Sequence, residues 1–135
     1  LDGVIARHAR LARCVRAAVS VWCEAGGMRF NAENPADRAD SVTAILTPEG
    51  IDAEEIRATG RDMNLHIGSA IGPYRGKGFR IGHMGNINEP MILGALAGIE
   101  TVLRRHGVPL GQGAMDAAIA SLNSPVADTL SQAAE

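Results

Sequence analysis

Arg80 is the residue in this sequence best placed to do chemistry. It lies in Gly78-Phe79-Arg80-Ile81-Gly82-His83-Met84-Gly85. Phe79 to His83 reads as a strand, and side chains alternate across a strand. Phe79, Ile81 and His83 therefore share one face, while Arg80, Gly82 and Met84 share the other. The apolar pair would face the packed interior, so Arg80 points away from it, beside a glycine that leaves room for a ligand or a second backbone. A guanidinium is a planar fork that matches a carboxylate with two parallel hydrogen bonds. From the residues alone, Arg80 is either a carboxylate receptor or one half of a surface ion pair.

Other reactive side chains form no such pattern. The histidines His8, His66, His83 and His106 show no zinc-ligand spacing. His106 is expected near a helix C-terminus, where the helix dipole favours it. Cys14 and Cys23 are nine residues apart. On one helix, nine steps of about 100° put them on opposite faces, so they are expected as two reduced thiols. The glycines at 68, 72, 76 and 78 lack the order of a phosphate-binding loop, and Lys77 is not followed by Ser or Thr. No Gly-x-Ser-x-Gly elbow or nucleophilic triad is present.

The elements around Arg80 follow from periodicity. Residues 2–24 predict a helix, because Val4, Leu11, Val15, Val19 and Trp22 fall on one face and Gly26-Gly27 follows. Arg7, Arg10, Arg13 and Arg16 are expected to form its solvated side. Residues 28–40 read as a loop, and 41–47, rich in β-branched residues, as a strand. Asp52, three residues before Glu55, predicts the cap of a short helix ending at Gly60. Leu65 to Ile67 predicts a brief second strand. Asn88 predicts the cap of a long helix with Glu89 and Pro90 in its first turn and Gly107 at its end. A last helix covers about 112–122. Gly94 and Gly98 are expected to let a neighbour approach the long helix.

The expected fold class is α+β: a small three-stranded, mainly antiparallel sheet with helices packed on one face. Its second face would be exposed unless something covers it. The 135 residues make one domain's worth of chain, 46% of it apolar, and with only 3% aromatic residues the core must be aliphatic. A net charge of −2 and one short basic stretch give no case for nucleic acid. No apolar run is long enough to span a membrane, and no secretory pattern opens the chain. The start at Leu1 rather than Met, already in a helical pattern, predicts a fragment of a longer protein.

The block Gly76-Lys77-Gly78-Phe79-Arg80-Ile81-Gly82-His83-Met84-Gly85, followed by Asn88-Glu89-Pro90-Met91-Ile92-Leu93-Gly94-Ala95-Leu96-Ala97-Gly98-Ile99-Glu100, resembles the C-terminal small domain of class V aminotransferases, in the serine/alanine–glyoxylate group. Arg7 to Ala12 resembles the helix leading out of that family's large domain. Asp40 to Ala44 and Thr47 to Asp52 resemble its first small-domain strand and turn. The resemblance covers about residues 3–122.

It implies a fold-type I enzyme, usually a homodimer, in which pyridoxal phosphate forms a Schiff base with a lysine of the large domain. That enzyme would move an amino group from a small amino acid, serine or alanine, to glyoxylate or a similar 2-oxo acid. The resemblance implies that Arg80 binds the substrate carboxylate. It assigns no catalytic or cofactor-binding residue within this chain, and Lys77 does not match the Schiff-base position. Residues 1–24 would be the connecting helix, 25–122 the small domain and 123–135 a flexible tail. The expected location is cytoplasmic. The competing reading is an isolated, non-catalytic domain: an interaction module or a truncated relic.

Overall fold

Strand pairing is organised around β4 (Gly78–Gly82), which lies between β2 (Val42–Leu46) and β3 (Gly68–Ser69) in a computed structural model that describes residues 1–125. Beyond β2 lies β1 (Arg29–Phe30), so the sheet has four strands in the order β1-β2-β4-β3, every pair antiparallel. The antiparallel α+β architecture is as the sequence implies, but the sequence predicts three strands and places the β1 residues in a loop. A two-residue strand carries no period to detect. β1 exists because Arg29 and Phe30 pair with Leu46 and Ile45. Phe30 is also covered by the Arg38 guanidinium, 3.6 Å from its ring centre.

Four helices complete the described chain: α1 (Asp2–Cys23), α2 (Ala53–Asp62), α3 (Glu89–Arg105) and α4 (Ala114–Leu122). Asn88 caps α3 as its spacing predicts, its Oδ1 accepting from Met91 N at 3.0 Å. Asp52 caps α2 by accepting from Glu54 N at 2.8 Å. α2 does not end at Gly60. It continues two residues because Gly60 is a packing residue: a Cβ there would lie 3.0 Å from the Leu65 carbonyl oxygen and 3.1 Å from the Ile67 side chain. The expected second strand at 65–67 is displaced to Gly68–Ser69, since Ile67 is drawn into the core while the ladder to β4 forms at the next two residues.

Helices and sheet share one hydrophobic core. Leu11, Val15, Val19 and Trp22 of α1 meet Ile45, Phe79, Leu96, Ile99 and Leu103, all buried. Of the two close-packing glycines expected on α3, Gly98 lies against Leu65, whereas Gly94 has open space. No helix among the described residues is long and apolar enough to cross a membrane. The expected tail lies, from residue 126 on, outside the described residues.

Candidate functional site

Arg80 sits on the outer face of the sheet. Register pairs Thr43 with Ile81, Ala44 with Arg80 and Ile45 with Phe79. Thr43, Ile45, Phe79 and Ile81 are buried against the helices, whereas Val42, Ala44 and Arg80 are half-buried and Gly82 is exposed. The alternation read from the sequence is the one observed, and it turns the arginine away from the core.

The setting of Arg80 is made of small residues. Its strand neighbours across the sheet are Ala44 and Gly68. A Cβ at Gly68 would lie 3.1 Å from the Arg80 carbonyl oxygen and 3.4 Å from its Cβ, while one at Gly82 would meet nothing within 4 Å. Arg80 Nε donates to the Ser69 carbonyl at 2.6 Å. That bond fixes the plane of the guanidinium from one edge. No acidic side chain among the described residues pairs with Arg80; the ion pairs are Arg10–Glu89, Arg16–Asp40, Arg57–Glu54 and Arg104–Glu100. The surface-ion-pair reading is thus unsupported, and the fork remains available to an anion. Sequence reasoning placed Arg80 but missed Gly68, Ser69 and Ala44, because strand alignment across the sheet is not written in local spacing.

The arginines of α1 are not a merely solvated side, as the sequence suggested. Arg16 Nη2 donates to the Ala39 carbonyl at 2.6 Å and pairs with Asp40 at 3.0 Å. Arg10 pairs with Glu89 at 3.1 Å and donates to the Leu122 carbonyl at 2.7 Å. Arg7 and His8 hold Gly85 just beyond β4: Arg7 donates to its carbonyl at 2.8 Å, and its N–H donates to His8 Nε2 at 3.1 Å. Arg7, His8 and Arg16 fasten loops to α1, and Arg10 fastens the start of α3 and the end of α4 to it.

His83 is completely buried at the end of β4. Its Nδ1 lies 3.0 Å from the Asp40 carbonyl and its Nε2 2.8 Å from Thr43 Oγ1. A carbonyl only accepts, so Nδ1 carries the proton, and Nε2 accepts from the hydroxyl. Burial pushes His83 below its ordinary pKa. The Asp40 carbonyl raises it, Arg16 lowers it, the Asp40 carboxylate raises it and His8 lowers it, without reversing the direction.

The remaining reactive groups have structural surroundings. His106 Nε2 meets Thr59 Oγ1 at 2.8 Å, tying α3 to α2. Cys14 and Cys23 are free; burial raises both thiols, Cys14 to about 11, so neither is poised as a thiolate. No cluster of three or more His, Cys, Asp or Glu suited to a metal occurs among the described residues. A concavity of about 930 Å³ lies at the opposite end of β4 and is lined by Met28, Leu46, Pro48, Asp52, Tyr74 and Lys77 among others. It does not include Arg80, and Lys77 at its rim is exposed.

No protein-family model matches the chain. It is 46% identical over 114 residues to a serine–glyoxylate aminotransferase of Hyphomicrobium methylovorum and 40% identical over 114 residues to one of Arabidopsis thaliana, covering 84% of this chain in each case. The chain spans 27% of the length of each of these relatives. Its fold superposes on a pyridoxamine–pyruvate aminotransferase from Mesorhizobium loti with a TM-score of 0.81 and 30% identity, over 90% of this chain and 31% of that one.

Proposed function

We propose, from its homology to the C-terminal part of class V aminotransferases of the serine–glyoxylate group, that this chain is the substrate-carboxylate-binding small domain of a transaminase. On this reading residues 1–24 connect to a large domain and residues 25–122 form the small domain. The observation that carries the role is Arg80. Its Nε is anchored on Ser69, its fork has no acidic partner among the described residues, and small neighbours surround it on an open face.

The chemistry of the site is recognition and orientation. A planar carboxylate accepts two parallel hydrogen bonds from the fork. Both partners are charged and planar, so this fixes the direction in which the rest of the amino or 2-oxo acid extends. Anchoring the guanidinium beforehand reduces the rotamer entropy lost on binding.

Pyridoxal phosphate would supply the electron sink for amino-group transfer. On this reading no described residue of this chain is assigned to holding it. Lys77, the only lysine, is exposed in a loop between two glycines, three residues along the chain from Arg80. The Schiff-base lysine would belong to a part of a longer protein beyond these residues. Serine or alanine as donor, glyoxylate or a similar 2-oxo acid as acceptor, a homodimeric assembly and a cytoplasmic location complete the reading.

The test is Arg80→Ala in the full-length enzyme. Losing a charged bidentate hydrogen bond costs on the order of 2–4 kcal/mol, or roughly 30- to 1000-fold in kcat/KM. KM for the amino acid should rise. Unchanged kinetics would overturn the carboxylate role.

A further inference from the structure

Arg80 lies on the outer face of β4, while His83, three residues later, is buried on the inner side. His83 closes the β2–β4 ladder: its backbone N–H donates to the Ser41 carbonyl at 3.0 Å, just past the Val42–Gly82 pair. Its ring then ties the strand end twice more, through Nδ1 to Asp40 and through Nε2 to Thr43 of β2. Asp40 is itself held by Arg16 of α1. The end of β4 is thus joined through one imidazole to β2, to the segment leading into it and, by way of Asp40, to α1.

β4 is held unevenly: β2 pairs with it along its whole length. On its other side it is paired only with the two-residue β3, through Gly68–Arg80 and Ser69–Phe79. β3 also provides the carbonyl that anchors Arg80. A slip of one residue in β4 would turn Arg80 to the inner face and Phe79 outward. We infer that His83 is a positioning residue for Arg80: in its neutral Nδ1–H form it pins β4 to β2, and its protonation loosens the strand that presents the guanidinium.

The charged and titratable groups facing the ring are Arg16 and His8 from α1 and Asp40 from the segment before β2. Protonation would convert Nε2 from acceptor to donor. The Thr43 oxygen could then only accept, so its O–H would have to rotate out of the bond into a buried site, and the imidazolium charge would sit beside the basic side chains of Arg16 and His8. The depressed affinity of His83 for a proton agrees with that geometry. The inference rests on the proposed function only for what Arg80 is positioned to bind; the tie between the residues stands on the fold.

The experiment uses the 15N-labelled chain with no carboxylate present. An imidazole 15N spectrum reports the tautomer of His83, and the Arg80 Nε–H signal reports its anchor on Ser69. We expect the Nδ1–H tautomer at pH 7.5, and an Arg80 Nε–H signal whose protection against exchange, taken relative to a free arginine side chain at the same pH, falls about tenfold, the loss of one net hydrogen bond, in step with titration of His83. His83→Asn keeps an amide donor but cannot titrate, so the relative protection of the Arg80 Nε–H should lose that pH-dependent step. Thr43→Val keeps shape without the hydroxyl and should quicken exchange at neutral pH; it serves if His83→Asn does not fold. An Nε2–H tautomer, an Arg80 signal that ignores the titration of His83, or a titration that survives in His83→Asn would overturn the inference. The Arg80→Ala kinetics bear on the carboxylate role alone, so the two can fail separately.

Discussion

Phe79 and Arg80 are adjacent in one five-residue strand and belong to different worlds. Phe79 is fully buried against the helices, in register with Ile45, and helps hold the sheet to α1 and α3. Arg80 is half-buried on the other face, among Ala44, Gly68 and Gly82, and its Nε holds a carbonyl oxygen. The inner face is where folding free energy is concentrated, and the outer face is where binding capacity is kept. A strand divides these tasks cheaply because its period of two sends alternate side chains to opposite sides. Rigidity gained from the inner set is transmitted to the outer set through the shared backbone.

The comparison can be broken at several points. Phe79→Ala should have the largest effect on stability, about 3–5 kcal/mol, read as a drop in the urea midpoint of the isolated chain; a loss below about 1 kcal/mol would mean that the inner face is not the core. Gly78→Ala should follow. Its Cβ would collide with the Ile45 carbonyl oxygen of β2 and crowd Leu46, and overpacking of this kind costs typically 1–3 kcal/mol. Arg80→Ala should cost the isolated chain only about 0.5–1.5 kcal/mol, the net worth of one hydrogen bond. If it unfolded the chain, the arginine would be structural and the division between the faces would be false.

Acid should act from the inner side as well. Because burial holds the folded-state pKa of His83 below its ordinary value near 6.5, the folded chain binds fewer protons than the unfolded chain between those two values. Its contribution to stability is therefore complete above about pH 6.5, declines as pH falls through the lowered folded value, and levels off below it. Thermal melts of the native chain and of His83→Asn across this range should differ in slope there. Parallel curves would show that the ring does not couple folding to pH.

Much of this was legible because it is local. The heptad-like spacing of Leu11, Val15, Val19 and Trp22 marked the buried side of α1. Asn88 marked the start of α3, and the alternation from Phe79 to His83 marked which way Arg80 points. What was misread depended on distant partners. β1 is a strand only because Leu46 and Ile45 lie beside it. Gly60 looked like a stop and is a packing site for Leu65 and Ile67. The sequence places the α1 arginines on solvated surface, yet Arg7 and Arg16 hold loop carbonyls and Arg10 holds the last carbonyl of α4.

The sequence by itself determined that the chain is α+β, that an arginine stands on an outward strand position, and that the chain resembles the C-terminal part of class V aminotransferases. These follow from periodicity and motif, which need no knowledge of what lies across the sheet. Only the tertiary structure decided that Arg80 has no acidic partner among the described residues, that Ser69 holds its Nε, and that His83 is sealed between Asp40 and Thr43. Those facts join residues 11, 43 and 40 positions apart. Side-chain hydrogen bonds of that range are set by strand register and helix packing together, and no local pattern of residues encodes either one.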